Sequence, residues 1–336
     1  MGSSPDVIVV GAGVLGLCVA AELAGRGHAV TVLDPGGPNA SSVAAGMLAP
    51  ALESLLEDVS PERAGLLKRA RDLWSAFAET HGLKLHREGA AWRGSDARAA
   101  IARLNALGFE ARAADGGLIT PDDWRIEAAP ALAALGRAIG VTVVRARVVS
   151  LNGDARRWRI EGDDGRVWFA ASVVLATGVA PPIPGLPVEV AATVDAIEPI
   201  RGQITAVDTP VPPRVTRAPG VYVSPTTSGV LIGATMEPGR RDLEPDLEES
   251  RDRVAAGLAL LGRAGPVGQT RVGVRGGTAD GLPLAGPTRH AGLHLALAPR
   301  RNGWLLGPLV ARVVADGIEG RAAMADAAAL DPLRPA

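Results

Sequence analysis

Residues 6–34 read DVIVVGAGVLGLCVAAELAGRGHAVTVLD: a short apolar run, a glycine-rich turn, a longer apolar segment and a second apolar run that ends in an acid. The β-branched run Asp6–Val10 predicts a buried strand, and Val14–Arg26 predicts a helix that Gly27 ends. Ala29–Leu33 predicts a second buried strand. The sequence therefore predicts an α/β fold with a Rossmann-like βαβ unit in this part of the chain.

The turn of this unit has the spacing Gly11-x-Gly13-x-x-Gly16 of a dinucleotide-binding motif. Gly11 makes the turn tight, Gly13 lets the backbone approach a pyrophosphate, and Gly16 lets helix and strand pack closely. The helix N-terminus offers free N–H groups to phosphates, and Asp34 can accept hydrogen bonds from an adenosine ribose. Because 42 of the 336 residues are glycine, the motif also arises by chance, and the alternative is a tight turn without a ligand. The βαβ context favours a nucleotide site.

Composition and charge limit the class of protein. Of the 336 residues, 47% are hydrophobic and 21% charged, a composition that is typical of a packed globular enzyme. A chain of this length usually folds into two domains. The formal net charge is −1, so neither a nucleic acid nor an anionic membrane is indicated as a partner. No basic segment precedes an apolar one at the N-terminus, so we expect a soluble, cytoplasmic protein.

Cysteine and histidine do not suggest a metal centre. Cys18 is the only cysteine, so neither a disulfide framework nor a cysteine cluster is expected. The five histidines lack the spacing of a zinc site. His290 and His294 are four residues apart, but Gly292 and the alternating neighbours predict a turn and a strand there. We therefore expect no metal.

The remaining segments predict a mixed fold. Helices are predicted over 61–81, 95–107, 130–139 and 247–261 and from about residue 308, and strands over 85–92, 141–144, 148–151, 158–161, 167–170, 173–176, 203–207, 221–224, 230–235, 271–275 and 293–296. Proline is dense between residues 181 and 219, which predicts a crossover between domains.

Two further segments resemble the D-amino acid oxidase superfamily of flavoproteins. The run SSVAAGMLAP at residues 41–50 is similar to a segment that lies along the pyrophosphate and flavin ring in that superfamily. The strand end VLATG at residues 174–178 resembles the superfamily's second nucleotide-contacting turn. Each is also a common loop or strand end, but their order in one chain favours the resemblance. The chain is most similar to the glycine oxidase branch, which is associated with thiamine biosynthesis, over residues 11–50, 222–239 and 273–308.

The resemblance implies a two-domain flavoprotein that binds FAD without a covalent bond. The implied FAD-binding domain comprises residues 1–84, 140–195 and 272–336, and a mostly antiparallel β substrate domain carrying helices comprises 85–139 and 196–271. The residues expected to contact FAD are Gly11, Gly13, Val14, Leu15, Gly16, Asp34, Ser41, Ser42, Ala44, Ala45, Gly46, Met47, Val148, Ala176, Thr177, Gly178, Arg301, Asn302, Gly303, Trp304 and Leu305. The turn 301–303 is implied to face the flavin, with its backbone N–H groups stabilising negative charge.

The resemblance also implies four residues at the substrate. Arg275, at the end of a predicted strand, matches the family's carboxylate anchor, and a guanidinium can hold a carboxylate through two parallel hydrogen bonds. Tyr222, the only tyrosine, matches a residue whose hydroxyl touches the carboxylate. Met236 matches a pocket-lining methionine, and Arg301 matches a residue near the substrate. Each residue also has a structural alternative. These are a surface salt bridge for Arg275, a half-buried strand aromatic for Tyr222, a core filler for Met236 and a solvated loop arginine for Arg301.

Three positions depart from the family pattern. Gly276 stands where proline usually follows the anchor arginine, and Thr226 stands where arginine usually continues the Tyr222 strand. Residues 298–300 read APR where Gly-His and an aromatic usually precede Arg-Asn-Gly. The added charge of Arg300 would favour a substrate with an acidic side chain.

The resemblance implies an oxidase of small amino acids such as glycine or sarcosine. The substrate carboxylate is held by Arg275 and Tyr222, hydride passes to FAD, and dioxygen is reduced to hydrogen peroxide. Two other classes stay open. A dehydrogenase of D-amino or N-methyl amino acids would use another electron acceptor, and a non-catalytic flavin-binding protein would not oxidise a substrate. A homo-oligomer is possible on the sequence.

Overall fold

The computed structural model describes residues 6–114, 116–154 and 157–335, so the ends of the implied domains, residues 1–5 and 336, lie outside it. The helices are α1 (Val14–Gly25), α2 (Ala40–Val43), α3 (Pro50–Leu56), α4 (Pro61–Thr80), α5 (Ala97–Ala106), α6 (Ala128–Leu135), α7 (Val188–Asp195), α8 (Leu247–Leu260), α9 (Gly303–Ile318) and α10 (Ala327–Leu330).

The strands occur mostly in runs of two to five between these helices. They are β1 (Val7–Val10), β2 (Val30–Asp34), β3 (Met47–Leu48), β4 (Leu85–His86), β5 (Ala90–Trp92), β6 (Arg112–Ala114), β7 (Gly117–Thr120), β8 (Trp124–Ile126), β9 (Val141–Arg145), β10 (Val148–Gly153), β11 (Trp158–Gly162), β12 (Val167–Ala170), β13 (Ser172–Leu175), β14 (Glu198–Val207), β15 (Val215–Ala218), β16 (Val221–Thr226), β17 (Gly229–Gly233), β18 (Glu237–Pro238), β19 (Gln269–Gly277), β20 (Leu284–Pro287) and β21 (Leu293–Leu297).

A six-stranded sheet in the order β20-β21-β13-β1-β2-β9 confirms the predicted βαβ unit. The sheet is parallel except for β20, whose pairing with β21 is antiparallel. β1 is buried on both faces, because α1 and α9 cover one face and the antiparallel sheet β10-β11-β12 covers the other. Strands buried on both faces read as continuous apolar runs, which is why this unit was recognisable in the sequence.

A larger sheet runs in the order β18-β14-β17-β16-β15-β5-β7-β6, with β19 also paired to β14. Its pairs are antiparallel except for β15 with β5. Val221 and Val223 of β16 point to one face, where Val254 and Leu258 of α8 cover them. Side chains of successive strand residues point to opposite faces, so Tyr222 lies on the other face, towards the cavity described below.

Three predicted elements are placed wrongly, and the first two are a strand and the last predicted helix. The strand predicted over 85–92 is split in two: β4 ends at His86, Gly89 has φ 75°, and β5 then begins at Ala90 in a different sheet. The helix predicted from about residue 308 is α9, which begins at Gly303. Proline lacks the N–H that would bond to the carbonyl of Trp304, but the indole N–H of Trp74 donates to that carbonyl at 2.9 Å instead. A partner from another helix therefore lets α9 run through its proline.

The proline-dense segment 181–219 is more ordered than a simple crossover. It contains α7 and the whole of strands β14 and β15. The helix predicted over 130–139 is also displaced, because Pro130 lies in the first turn of α6, which ends at Leu135. A proline in the first helical turn removes no intrahelical hydrogen bond, since the first N–H groups of a helix have no partner there.

The division of the chain into domains stays a prediction. β19 crosses the implied boundary at residue 272 and pairs with β14 along its whole length. Ala131 and Leu135 of α6, in the implied substrate domain, pack in the core that α1 and β1 share. Among the residues that the structure describes, no helix is long and apolar enough to cross a membrane.

Candidate active site

The glycine-rich turn is as tight as its spacing predicts. Gly11 has φ 111°, and a Cβ there would lie 2.3 Å from the carbonyl oxygen of Ala176. A Cβ on Gly16 would lie 2.0 Å from the carbonyl oxygen of Gly11, so helix and strand are in backbone contact. Gly13 has an ordinary φ of −72°, and within 4 Å a Cβ there would meet only the Ser41 hydroxyl oxygen, at 3.4 Å. Gly13 therefore leaves open space at the helix N-terminus, as a bound phosphate requires.

Asp34 and Ser41 hold the loops around this turn. The Asp34 carboxylate accepts from the backbone N–H of Ala12 at 2.6 Å and from that of Gly36 at 2.7 Å. The Ser41 hydroxyl accepts from the N–H of Val14 at 2.9 Å. Each carboxylate oxygen of Asp34 keeps a second lone pair, so the carboxylate can still accept from a ribose.

A groove of about 740 Å³ runs beside the turn and continues into a second cavity of about 240 Å³. Ala40 and Gly273 line both of them. The residues of the sequence-predicted cofactor site that line the groove are Gly11, Gly13, Asp34, Ser41, Val148, Ala176, Thr177 and Gly178. Those that line the second cavity are Ala44, Ala45, Gly46, Met47, Arg301, Asn302 and Trp304. The long cleft, cradled by glycines, fits an extended dinucleotide.

Six of the predicted cofactor residues line neither space. These are Val14, Leu15, Gly16, Ser42, Gly303 and Leu305. Leu305 is buried in the core. The Ser42 hydroxyl accepts from the N–H of Asn39 and donates to its carbonyl, both bonds at the start of α2. These six residues lie in helices α1, α2 and α9, close in sequence to residues that line the cleft.

The four predicted substrate residues meet in the second cavity, although they come from three separate parts of the chain. Arg275, Tyr222, Met236 and Arg301 all line it. The guanidinium of Arg275 contacts the sulfur of Met236 at 2.8 Å and the carbonyl of Thr235 at 3.4 Å. Burial lowers the pKa of Arg275, and no carboxylate of the described residues pairs with it. A buried, unpaired cation is costly unless an anion joins it.

Tyr222 stands beside Arg275 as a second donor. Burial raises the pKa of Tyr222, so its hydroxyl stays protonated. Gly233 on the neighbouring strand makes room for it, because a Cβ there would lie 2.4 Å from the hydroxyl oxygen. In the described part of the chain this hydroxyl has no protein hydrogen-bond partner. It is therefore free to donate to a ligand bound by Arg275.

Sequence reasoning missed Glu53 and Arg217, which also line this cavity. Glu53 accepts from Arg217 at 2.8 Å and from the Nε of Arg301. Burial alone would raise the pKa of Glu53, but the charges of the two arginines outweigh it and hold the pKa below its usual value. No local signal connects Glu53 with Arg217, because they are 164 residues apart in the sequence.

A second buried carboxyl positions the helix that carries Glu53. Asp123 accepts from the N–H of Ala51 at 2.8 Å and from that of Leu52 at 3.1 Å, both in the first turn of α3. Burial raises the pKa of Asp123 to about 7. Asp123 thereby replaces the intrahelical partners that the first N–H groups of α3 lack.

Arg300 and Gly276, which depart from the family pattern, lie behind the cavity wall. The side chain of Arg300 pairs with Glu57, and its N–H donates to the carbonyl of Gly276 at 2.7 Å. A Cβ on Gly276 would lie 2.7 Å from the side chain of Ile197. Arg300 does not line the cavity, so its charge offers no direct partner to a substrate.

Histidine placement follows the sequence prediction. His290 lies in a turn, where its Nε2 contacts a carboxylate oxygen of Glu189 at 2.6 Å, and His294 lies in β21. Within residues 6–114, 116–154 and 157–335, no three histidine, cysteine, aspartate or glutamate side chains are grouped to hold a metal ion.

Comparison with known proteins agrees with this geometry. The FAD dependent oxidoreductase family matches residues 6–317. Glycine oxidase of Geobacillus kaustophilus (strain HTA426) is 31% identical over 94% of this chain and 93% of that protein. The tRNA 5-methylaminomethyl-2-thiouridine biosynthesis bifunctional protein MnmC of Caulobacter sp. (strain K31) is 28% identical over 91% of this chain, which spans only 53% of that protein.

Two crystal structures share the fold over almost their whole length. Glycine oxidase from Geobacillus kaustophilus has a TM-score of 0.82 at 27% identity, with 99% of this chain and 100% of that chain covered. Iminodiacetate oxidase (IdaA) from Chelativorans sp. BNC1 has a TM-score of 0.82 at 23% identity, with 97% and 98% covered, a likeness of fold alone. The chain therefore belongs to the FAD dependent oxidoreductase family and is a flavoprotein.

Proposed function

We propose that this protein oxidises the amine of glycine or a similarly small amino acid to an imine and reduces dioxygen to hydrogen peroxide. The observation that carries the proposal is the half-buried guanidinium of Arg275, which no carboxylate of the described residues pairs with, beside the hydroxyl of Tyr222. Together they offer a fork of donors that suits one carboxylate. The resemblance to glycine oxidase supports the choice of an amino acid as the ligand.

The cleft would hold FAD along its whole length. Gly11, Gly13 and the N-terminus of α1 would face the pyrophosphate, and Asp34 the ribose. The segment 44–47 and the turn that begins at Arg301 would flank the ring. Bound FAD would supply the hydride acceptor and pass the electrons to dioxygen.

The protein's own residues would bind and orient the substrate. Arg275 and Tyr222 fix the carboxylate, which limits how the Cα–H bond can point. The cavity of about 240 Å³ has the apolar side chains of Met47, Ile204 and Met236 on its wall, and they limit the room for a large substrate side chain. Arg301 is held by Glu53 rather than by solvent, so its position at the cavity is fixed.

Substrate size gives the experiment that tests the proposal. We expect kcat/KM to fall from glycine or sarcosine through D-alanine to larger D-amino acids, because one methylene too many in a filled pocket costs roughly 1–3 kcal/mol. Peroxide formation in air, measured over glycine, sarcosine, D-alanine, D-proline and D-aspartate, gives the ranking. D-aspartate or a bulky D-amino acid ahead by more than about tenfold would contradict the small-substrate assignment.

Two alternatives are separated by the same assay. Substrate oxidation with an artificial acceptor but without peroxide would indicate a dehydrogenase. No oxidation with any acceptor would indicate a non-catalytic flavoprotein. Secondary amines belong in the panel, because one structural neighbour is named an iminodiacetate oxidase. In the proposed setting, a cytoplasmic one, the imine hydrolyses to a 2-oxo acid or passes to thiazole synthesis for thiamine.

FAD is proposed to be bound without a covalent link. Cys18 is buried inside α1, where burial raises the pKa of its thiol and keeps it unreactive. We expect acid or heat to release all the flavin of the yellow protein as FAD, measured by chromatography of the supernatant. Flavin that stays with the precipitated chain would contradict this.

A further inference from the structure

The second cavity contains one acidic side chain among three arginines. Arg217, Arg275 and Arg301 line it, and Glu53 is the only acid among the described residues that do. The Glu53 side chain is 6% exposed and accepts from Arg217 and Arg301. Its charge also acts on Arg275 and Tyr222, so it lies within electrostatic reach of the carboxylate-binding pair.

An amino acid substrate brings two opposite charges into this space. With its carboxylate on Arg275, its ammonium nitrogen lies only two covalent bonds from the carboxylate carbon and needs an acceptor, because a buried charge without a partner is costly. Tyr222 and the arginines are donors in this setting. A carboxylate has about four acceptor sites, and the two arginines occupy one each on Glu53. The two oxygens of Glu53 therefore keep acceptor sites for an ammonium group.

We propose that Glu53 binds the substrate ammonium group and thereby selects amino acids over 2-hydroxy acids and other carboxylates. This inference rests on the proposed oxidation of a small amino acid. It assigns the acidic side chain of the cavity to the amine and Arg275 to the carboxylate. Because the two arginines keep Glu53 ionised, it attracts the ammonium group and does not take its proton at neutral pH.

A purely structural role makes a different prediction. If Glu53 only holds Arg217 and Arg301 in place, its loss disturbs the cavity for every carboxylate ligand alike. If Glu53 binds the ammonium group, its loss weakens the binding of amino acids. The same loss strengthens the binding of carboxylates without an amine, because the two released arginines make the cavity more positive. The ratio of two affinities separates these roles, and a general loss of stability does not change that ratio.

The test compares glycine with glycolate in the FAD-loaded protein and in Glu53→Gln. The glycine Kd comes from the saturation of flavin reduction without oxygen, and the glycolate Kd from the shift of the flavin absorbance spectrum. We expect Glu53→Gln to raise the glycine Kd roughly 10- to 100-fold, which is the effect of losing a hydrogen bond between charged groups. Glycolate should bind equally well or more tightly.

Glu57→Gln is the matched control. Glu57 lies one helical turn after Glu53, approaches Arg301 to 3.4 Å, and does not line the cavity. The Glu57→Gln substitution removes the same charge as Glu53→Gln. The ratio of the glycine Kd to the glycolate Kd should stay within about twofold of the wild-type ratio. Equal weakening of glycine and glycolate in Glu53→Gln, or the same change in the ratio with Glu57→Gln, would overturn the inference.

A wild-type comparison covers the case in which Glu53→Gln yields no FAD-containing protein. Sarcosine and methoxyacetate have the same shape, but methoxyacetate has an ether oxygen in place of the amine. Sarcosine should bind at least tenfold more tightly, and equal affinities would overturn the inference. Wild-type protein that responds to none of these ligands would overturn the proposed function, and this inference with it.

Discussion

Replacing Arg275 with alanine is expected to lower kcat/KM for the best amino acid substrate by roughly 10²- to 10⁴-fold while FAD still binds. A buried carboxylate that loses its hydrogen-bonded cation costs on the order of 3–5 kcal/mol, and each 1.36 kcal/mol corresponds to a tenfold change in rate. Arg275 lines the substrate cavity rather than the groove along the glycine turn, so FAD content should be unchanged. Steady-state kinetics at equal FAD content measures the effect.

Arg271 on the same strand provides the control. Its side chain is exposed and lies outside both cavities. Arg271→Ala should therefore have near wild-type kinetics. The kcat/KM of Arg275→Lys should lie between those of the wild type and Arg275→Ala, because an ammonium group keeps the charge but not the two parallel hydrogen bonds. Near-normal kinetics in Arg275→Ala would remove this residue from the site.

Replacing Gly11 with alanine is expected to abolish FAD binding and to destabilise the fold. A Cβ there would lie 2.3 Å from the carbonyl oxygen of Ala176, and φ is 111°. Non-glycine residues rarely adopt this backbone conformation, and the strain of such a residue costs about 1–3 kcal/mol before the clash is added. The flavin content of the purified protein and its thermal unfolding temperature measure the two effects.

Gly25→Ala is the matched substitution at the other end of α1. Gly25 is exposed, its φ is not positive, and its Cβ position meets nothing within 4 Å. Alanine there should stabilise the helix by about 0.5–1 kcal/mol. Full FAD content in Gly11→Ala would contradict the assignment of the turn as the cofactor cradle.

Local sequence patterns predict those helices and strands whose boundaries depend on residues nearby in the sequence. The unit from Val7 to Asp34 was recognised because burial on both faces and tight glycine packing leave a continuous apolar pattern with fixed glycine spacing. The start of α9 is misplaced in the sequence prediction because proline is normally tolerated only in the first turn of a helix, which makes Pro308 look like a helix start. The indole of Trp74 that satisfies the freed carbonyl comes from 230 residues earlier in the chain.

The candidate site was predictable only where the family resemblance reached it. Arg275, Tyr222, Met236 and Arg301 were each identified from the resemblance, and the fold brings them to one cavity. Glu53 and Arg217 were missed, because their pairing depends on α3 packing against the large sheet. The charge of Arg300, expected near the substrate, is paired with Glu57 outside the cavity.

Anaerobic addition of an amino acid to the yellow protein tests the central claim most directly. If Arg275 and Tyr222 hold a small amino acid for oxidation, glycine or sarcosine should bleach the flavin absorbance, and admission of air should restore it with release of about one equivalent of peroxide. Glycolate, which lacks the amine, should shift the spectrum without bleaching it. A flavin spectrum that no amino acid of the panel bleaches would contradict the account.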